Sequence, residues 1–101
     1  MSLINMSPED VAQAVADGAV LVDVREPHEF DQVRIEGAIS QPLSAFDPAD
    51  LPQGQKVVLM CAGGVRSVRA WEIAQAAGVD VNAHLAGGIR AWMAAGLPVE
   101  A

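Results

Sequence analysis

Residues 56–67, KVVLMCAGGVRS, form the stretch of sequence that decides the fold. Lys56 to Cys61 is an apolar run without polar alternation, which is typical of a strand covered on both faces, as parallel strands are. A glycine-bearing loop follows, and an apolar helical pattern runs from Ser67 to Ala77, with Gly78 as its stop. A buried strand that leads through a short loop into a helix indicates an α/β fold.

The same alternation of short apolar runs and helical patterns extends over the whole chain. Ser7 is a predicted N-cap, with Pro8 at the first helical position and Gly18 after the last turn. Further strands are predicted at residues 19–22, 38–40 and 79–85, and further helical segments at residues 27–30, 47–51 and 89–95. No repeat or linker interrupts the pattern, so the sequence predicts one α/β domain over residues 1–101 with a mainly parallel sheet.

Composition and charge argue against several classes of function. Apolar residues make up 51% of the 101 residues and charged residues 19%, which argues against a disordered chain. The chain carries 6 basic and 13 acidic residues, a net charge of −7, without any basic run. Neither nucleic acid nor an anionic membrane is therefore a predicted partner. No apolar run approaches the roughly 20 residues that a bilayer crossing needs, and no signal peptide is visible at the N-terminus.

The cysteine and histidine content limits the possible metal and disulfide chemistry. Cys61 is the only cysteine, which excludes an intramolecular disulfide and a cysteine-rich zinc site. The two histidines, His28 and His84, lie far apart without the spacing of metal ligands, and we expect both to be surface or hydrogen-bonded structural side chains. We expect no metal site, and the single cysteine favours a reducing, cytoplasmic compartment.

The loop that follows Cys61 carries the chemistry. It lies at the carboxyl end of a predicted strand, where ligands bind in open α/β sheets. None of residues 62–66 is proline, so each backbone amide is free to point inward. Gly63 and Gly64 can adopt the positive φ angles with which successive amides form an anion-binding nest. The loop is therefore predicted to stabilise negative charge beside the cysteine.

Two further features add positive potential at the same point. A helix that starts at Ser67 contributes its dipole, and Arg66 contributes a full charge with several fixed donors. We therefore expect the pKa of the Cys61 thiol to lie below the reference value of about 8.5. The resulting thiolate would be a nucleophile at neutral pH. The structural alternative is a buried cysteine that only closes a strand. The glycine loop, the arginine and the helix start within six residues favour the nucleophile.

Three arginines, Arg25, Arg66 and Arg90, follow predicted strands. If those strands are parallel, the three side chains share one edge of the sheet and form a local positive patch on an acidic protein. The alternative is that each arginine makes its own structural ion pair, which is favoured for Arg25 because Asp23 and Glu26 are its neighbours in the sequence.

At this point the sequence resembles the rhodanese domain, in its single-domain sulfurtransferase type. The resemblance covers nearly the whole chain. It rests on residues 21–27 (LVDVREP), 35–39 (IEGAI), 61–67 (CAGGVRS), 85–89 (LAGGI) and 95–99 (AGLPV), together with Glu29-Phe30 and Ala91-Trp92. The cysteine loop and the Gly-Gly-Ile element with its tryptophan are specific in combination.

The resemblance implies a three-layer α/β/α fold with a central, mainly parallel five-stranded sheet. It implies ping-pong transfer of a sulfane sulfur from thiosulfate or a persulfide donor to a thiol or cyanide acceptor. Carried over by position, Cys61 and Arg66 are the catalytic residues, and Cys61 becomes a persulfide. The loop residues Ala62, Gly63, Gly64, Val65 and Arg66 bind the substrate, and Asp23, Arg25 and Ser67 support the loop.

The same resemblance implies the cofactors and partners. No metal or organic cofactor is expected, because the cysteine itself carries the transferred group. The expected partners are small sulfur donors, thiol or cyanide acceptors, and a thioredoxin-like or persulfide-carrying protein. The sequence departs from the family pattern at Val33-Arg34-Ile35, where many members have a Gly-His-Ile segment, and at Ala62, where many have a basic residue. We therefore expect thiosulfate to bind weakly.

Two alternative functions remain open from the sequence. Cysteine-based phosphatases and arsenate reductases of a related fold have five residues between cysteine and arginine, whereas this loop has four, Ala62 to Val65. A shorter loop leaves less room for a tetrahedral oxyanion. A rhodanese-like module without activity would only bind or regulate a partner, but such modules typically lose the cysteine that this chain keeps.

Overall fold

Strands and helices alternate throughout residues 2–101, the part of the chain that the computed structural model describes. The strands are β1 (Ile4–Met6), β2 (Val20–Asp23), β3 (Ile39–Ser40), β4 (Val57–Met60) and β5 (Ala83–Leu85). The helices are α1 (Pro8–Ala16), α2 (Pro27–Gln32), α3 (Val65–Ala76) and α4 (Gly88–Ala94), and single 3₁₀ turns lie at Leu43–Ala45 and Pro48–Asp50. The predicted α/β fold is confirmed.

Within this part of the chain the five strands form one sheet in the order β1-β5-β4-β2-β3. Every neighbouring pair is parallel, so the predicted parallel sheet is confirmed. β4 is the middle strand, flanked by β5 and β2. Because all strands run in one direction, their carboxyl ends share one edge of the sheet, and Cys61 lies at the centre of that edge directly after β4.

Both faces of the sheet are buried, as the unbroken apolar runs predict. The core cluster on the face that carries α1 and α4 includes Leu21, Val58, Met60, Val11, Ile89 and Trp92. The cluster on the face that carries α3 includes Val22, Leu59, Cys61, Ala70 and Ala74. Successive residues of β2 and β4 thus alternate between two apolar layers, which produces the three-layer α/β/α arrangement.

The first helix begins and ends where the sequence predicts. The Ser7 hydroxyl accepts a hydrogen bond from the Asp10 amide at 3.1 Å, and Pro8 occupies the first position of α1. Gly18 follows the helix with φ at +104°, a left-handed conformation that glycine adopts without a steric penalty.

Two elements begin two or more residues away from their predicted starts. α3 begins at Val65 and not at Ser67, because Gly64 takes φ of +98° and serves as the N-cap. β5 is limited to Ala83–Leu85 instead of residues 79–85, because the Val79 amide bonds to the Ala74 carbonyl at the end of α3 instead of joining the sheet.

β1 was not predicted from the sequence. Ile4 and Asn5 are exposed, and the strand is three residues long, so it carries no apolar periodicity. Its pairing with β5, in which Asn5 lies opposite His84, holds it in the sheet. No helix between residues 2 and 101 combines the length and the apolar character needed to cross a bilayer.

Candidate functional site

The Cys61 sulfur lies at the bottom of the loop between β4 and α3, and the residue is 1% exposed. Its Sγ accepts hydrogen bonds from the Gly64 amide at 3.1 Å and from the Ser67 amide at 3.3 Å. The Ser67 hydroxyl lies 3.6 Å from the same sulfur. Two backbone donors therefore converge on one buried sulfur atom, with the Ser67 hydroxyl beside them.

The protonation of Cys61 reflects two opposing effects. Burial raises the pKa of the thiol, since a charge is poorly solvated in the interior. Hydrogen bonds from the Ser67 hydroxyl and from the backbone amides of Ser67, Gly64 and Gly63 favour the thiolate, and together they hold the pKa below its ordinary value. The direction is the one that the loop sequence predicts.

The backbone of the loop supplies fewer inward amides than the five predicted for residues 62–66. Among these residues, the Gly64 amide hydrogen-bonds to the sulfur. Because α3 begins at Val65, Ser67 occupies the third helical position, where the amide has no partner within the helix and is free to donate to Sγ. Ser67, predicted as a supporting residue, thus contacts the sulfur with both its amide and its hydroxyl. Val65 points outward and is 80% exposed.

The N-terminus of α4 fixes the loop from the other side. The Ile89 amide donates to the Cys61 carbonyl at 2.9 Å, and the Arg90 amide donates to the Ala62 carbonyl at 3.1 Å. Gly88, with φ of +63°, lies so close that a Cβ built on it would be 2.5 Å from the Ala62 carbonyl oxygen. With both carbonyls held by α4, the loop amides are left to face the sulfur. Only glycine fits between the helix and the loop.

Arg25 does not contribute to a charged patch. It is 2% exposed, and its guanidinium bonds to both carboxylate oxygens of Asp23, with the shortest contact at 2.7 Å. A further bond reaches the Val33 carbonyl at 2.7 Å. The Asp23 carboxylate also accepts the Arg25 amide at 2.9 Å, so the pair fixes the turn after β2. The structural ion pair is confirmed for Arg25, and the prediction of three arginines in one patch is wrong.

Arg66 is bonded to the carboxylate of Glu29, and this contact has no signal in the sequence. Its two terminal nitrogens donate to the two oxygens of Glu29 at 2.6 and 2.9 Å. The Arg66 hydrogen bond is the main cause that lowers the pKa of Glu29 to about 2. The same bond raises the pKa of Arg66. Arg90 is exposed, and its Nη1 lies 3.3 Å from the position of a Cβ built on Gly63, so it borders the cysteine loop.

The fold agrees with that of known proteins. The sequence matches the family model described as Rhodanese-like domain over residues 7–95. The chain belongs to the rhodanese-like domain family. A protein named sulfurtransferase from Allochromatium vinosum is 34% identical over 97 residues, covering 92% of this chain and 91% of that protein. A rhodanese-related protein from Thermoplasma volcanium has a similar structure, with a TM-score of 0.83, 29% identity and coverage of 96% of this chain and 97% of that one.

A further relative of this rhodanese-like domain is an uncharacterized protein from Synechocystis, 43% identical over 98 residues. The match covers 94% of the chain but 55% of the Synechocystis protein, so the chain spans about half the length of that relative.

The rhodanese-like domain also contains a buried histidine beside the loop. His84 is 3% exposed, and its Nδ1 lies 2.7 Å from the Ser67 hydroxyl. The two hydrogen bonds of His84 agree with the structural side chain expected from the sequence, but its link to the cysteine through Ser67 has no signal in the sequence. His28 is exposed on α2 and lies in the surface position expected for it. Within residues 2–101 no three His, Cys, Asp or Glu side chains lie close enough together to hold a metal ion.

Proposed function

We propose that this rhodanese-like domain is a sulfurtransferase in which Cys61 carries the transferred sulfur as a persulfide. The observation that carries the proposal is the pair of amide hydrogen bonds to Sγ, at 3.1 Å from Gly64 and 3.3 Å from Ser67. Donors fixed around a sulfur favour its anionic form, and the thiolate is the nucleophilic form of cysteine. The sulfurtransferase from Allochromatium vinosum, similar over nearly its whole length, supports the same activity.

The reaction proceeds in two displacement steps. In the first, the Cys61 thiolate attacks the outer sulfur of the donor, a new S–S bond forms at Sγ, and the donor's own S–S bond breaks. With thiosulfate the leaving group is sulfite, which departs with the bonding electron pair. In the second step a thiolate or cyanide attacks the outer sulfur of the persulfide, and the Cys61 thiolate leaves. The acceptor becomes a persulfide or thiocyanate, so no external oxidant or reductant is consumed.

The chain's own residues supply what these steps need. The amides of Gly64 and Ser67 stabilise the thiolate as attacking and as leaving group. The rim of the loop, with Arg66 and the exposed Arg90, offers positive charge to an anionic donor. The Glu29 carboxylate partly neutralises Arg66, which favours donors of low charge. The reaction requires no metal or organic cofactor, because the cysteine holds the transferred atom.

The setting of the reaction follows from its chemistry. A thiol acceptor, of low molecular weight or on a thioredoxin-like or persulfide-carrying protein, requires a reducing compartment such as the cytoplasm. An acidic chain with a net charge of −7 gives no reason to include nucleic acid or membrane among the partners.

Mass spectrometry of the intact protein tests the proposal directly. After incubation with thiosulfate or a low-molecular-weight persulfide, the mass should increase by one sulfur atom, and cyanide should reverse the increase with release of thiocyanate. The Cys61→Ser variant, nearly isosteric, should stay folded and gain no sulfur. If no donor of a panel modifies the protein, it is a binding module, and the proposal fails.

The phosphatase alternative is tested with the same two proteins. Hydrolysis of a chromogenic aryl phosphate by the wild type, abolished in Cys61→Ser, would overturn the sulfurtransferase proposal. We expect no hydrolysis, because the four-residue spacing between Cys61 and Arg66 leaves a narrow loop, and the Arg66 guanidinium is already bonded to Glu29.

A further inference from the structure

Four polar side chains form a continuous line from the cysteine to the edge of the sheet. The Cys61 sulfur lies 3.6 Å from the Ser67 hydroxyl, which lies 2.7 Å from His84 Nδ1. His84 Nε2 lies 2.6 Å from the side-chain oxygen of Asn5. Cys61 follows β4, the other three residues belong to α3, β5 and β1, and Asn5 and His84 are direct partners in the parallel pair β1 and β5. Sheet pairing therefore joins Asn5 to His84, whereas the loop and the first turn of α3 join Cys61 to Ser67.

The donors and acceptors along this line can be counted. The amide oxygen of Asn5 only accepts, so His84 Nε2 carries a hydrogen and donates to it. In a neutral imidazole Nδ1 is then the acceptor, and the Ser67 hydroxyl donates to it. The hydroxyl has a single hydrogen, so its oxygen is left to accept from the Cys61 thiol. Each hydrogen bond of the line therefore has one possible donor, the group nearer the sulfur, and one acceptor, the group nearer Asn5.

We propose that His84 is a positioning residue that takes the Cys61 thiol proton through the Ser67 hydroxyl. This inference rests on the proposed role of Cys61 as nucleophile. The thiol hydrogen passes to Ser67 Oγ while the hydroxyl hydrogen passes to His84 Nδ1. No bond between heavy atoms changes, and the total charge stays the same, since the thiolate carries −1 and the imidazolium +1. After the transfer, Ser67 donates to the thiolate and His84 donates to Ser67, so all four groups keep their partners.

The surroundings of His84 disfavour a charged ring unless an anion forms beside it. The residue is 3% exposed, and burial lowers the pKa of His84, so the ring takes up a proton only together with formation of the Cys61 thiolate as its counter-ion. The groups placed next to His84 are uncharged: Asn5 of β1 and Ser67 of α3 hydrogen-bond to the ring, Leu59 of β4 is its partner in the sheet, and the Gly64 backbone lies near its Cε1. The charged groups of the site, Arg66 with Glu29 and Arg90, border the cysteine loop. The Cys61 thiolate is thus the anion that an imidazolium at this position pairs with.

The proton stays on His84 throughout the sulfur transfer. When Sγ has bonded to the donor's sulfur, the negative charge moves to the outer sulfur of the persulfide and the imidazolium stays within the same buried network. When the acceptor removes the outer sulfur, the returning Cys61 thiolate meets the hydrogen bond from Ser67 at once. No proton has to enter or leave the buried site during a turnover.

Nuclear magnetic resonance of ¹⁵N-labelled imidazoles tests the proton transfer without any sulfur donor. In the reduced wild type, the pKa of His84 should be at least about one unit higher than in Cys61→Ala, because only the wild type supplies the thiol proton and the paired anion. The signals of exposed His28 serve as an internal reference for comparing the two proteins. Identical titration of His84 in the two proteins would overturn the proposal, while leaving the sulfurtransferase proposal untouched.

A further variant tests the role of the Ser67 hydroxyl. Ser67→Ala keeps the amide that donates to Sγ but removes the hydroxyl. It should abolish most of the difference in His84 titration between the wild type and Cys61→Ala. If less than half of that difference disappears, the route through Ser67 is wrong.

A second measurement follows the cysteine itself. The rate of alkylation of Cys61 by iodoacetamide should rise with pH around a midpoint below about 8.5 in the wild type. In His84→Asn the side-chain oxygen can still accept from Ser67 but cannot take up a proton, and we expect the midpoint to rise by about one unit. The matched variant His28→Asn should leave it unchanged. An unchanged midpoint in a folded His84→Asn protein would contradict the proposal.

Discussion

Arg66 and Glu29 form a two-pronged ion pair, with nitrogen–oxygen distances of 2.6 and 2.9 Å, that ties the first turn of α3 to α2. Glu29 also accepts the Glu26 amide at 3.1 Å and so closes the capping box at the start of α2. One carboxylate therefore orders a helix terminus and holds the arginine of the cysteine loop. The pair therefore reduces the net positive charge at the rim of the cysteine loop.

The ion pair makes stability depend on pH. The pKa of Glu29 lies at about 2 in the folded protein, below its usual 4.5, so its stabilisation is complete above pH 4.5 and is lost as the pH falls toward 2. Glu29→Gln should lower the free energy of unfolding by about 1 kcal/mol at pH 7, a value limited by partial solvent exposure. Urea unfolding at several pH values should show the difference from the wild type shrinking between pH 4.5 and 2.

The exposed pair Arg69 and Glu72 provides the control. Its nitrogen–oxygen distance is 3.8 Å, and more than half of each side chain is exposed. Glu72→Gln should change stability very little at any pH. A Glu29→Gln effect as small as that of Glu72→Gln would show that the Arg66 pair contributes no stability.

Arg66 should matter more for sulfur transfer than any other side chain of the loop. Arg66→Ala removes a charged donor beside the site, where such hydrogen bonds are worth about 1.5–3 kcal/mol, and kcat/KM should fall roughly tenfold to hundredfold. Arg69→Ala, on the exposed face of the same helix, is the matched control and should leave kcat/KM unchanged. Equal rates for both variants would mean that the backbone amides bind the donor without Arg66.

Gly88 should not tolerate a side chain. Gly88→Ala places a Cβ 2.5 Å from the Ala62 carbonyl oxygen, so α4 must move away from the loop. Gly96→Ala is matched in backbone conformation, with φ of +77° against +63°, but its Cβ meets nothing within 4 Å. We expect Gly88→Ala to cost at least about 2 kcal/mol more than Gly96→Ala in urea unfolding, because overpacking adds to the common φ penalty. It should also slow persulfide formation. Similar unfolding midpoints for the two variants would argue against the close packing.

Ala62 should limit the use of thiosulfate. The donor is a dianion, and the loop offers it one paired arginine and Arg90 at the rim, so thiosulfate should have a KM in or above the millimolar range. Ala62→Arg should lower that KM by about one to two decades at low salt, because a close charge contact is worth a few kcal/mol before screening. The gain should shrink as salt is added, since charges are screened beyond about 8 Å at physiological ionic strength.

The charge control for this experiment is Gln55→Arg, which adds the same charge just before β4, at the opposite end of the strand from Cys61. It should leave the thiosulfate KM nearly unchanged. If Gln55→Arg lowers the KM as much as Ala62→Arg, the effect comes from net charge and not from the position of Ala62.

Most of the fold and the centre of the candidate site could be predicted from the sequence. The run from Lys56 to Cys61 predicts β4 because a two-sided apolar strand needs no alternation, and the Ser7-Pro8 pair predicts the start of α1 because capping is a local interaction. The glycine loop predicts donors around the Cys61 sulfur because the amides concerned follow the cysteine within a few residues. Each of these features depends on residues close together in the chain.

The contacts that the sequence did not indicate join residues that lie far apart in the chain and that the fold brings together. Asn5 meets His84 only because β1 pairs with β5, and Glu29 meets Arg66 only because α2 and α3 pack near the same edge. The positions of the arginines after predicted strands suggested a shared patch, with a structural ion pair as the favoured alternative for Arg25, and the buried Arg25 indeed pairs with Asp23. Spacing along the chain therefore locates Cys61 and its loop but not the distant groups that bond to Ser67 and Arg66.

The hydrogen bonds from α4 to the carbonyls of Cys61 and Ala62 also bear on how the protein is made. Synthesis runs from the N-terminus, so the cysteine loop leaves the ribosome before the residues of α4. Until Ile89 and Arg90 have docked, the carbonyls of Cys61 and Ala62 lack these two hydrogen bonds. The surroundings of the Cys61 sulfur are therefore complete only after α4, which follows the loop in the chain, has been synthesised and has packed against it.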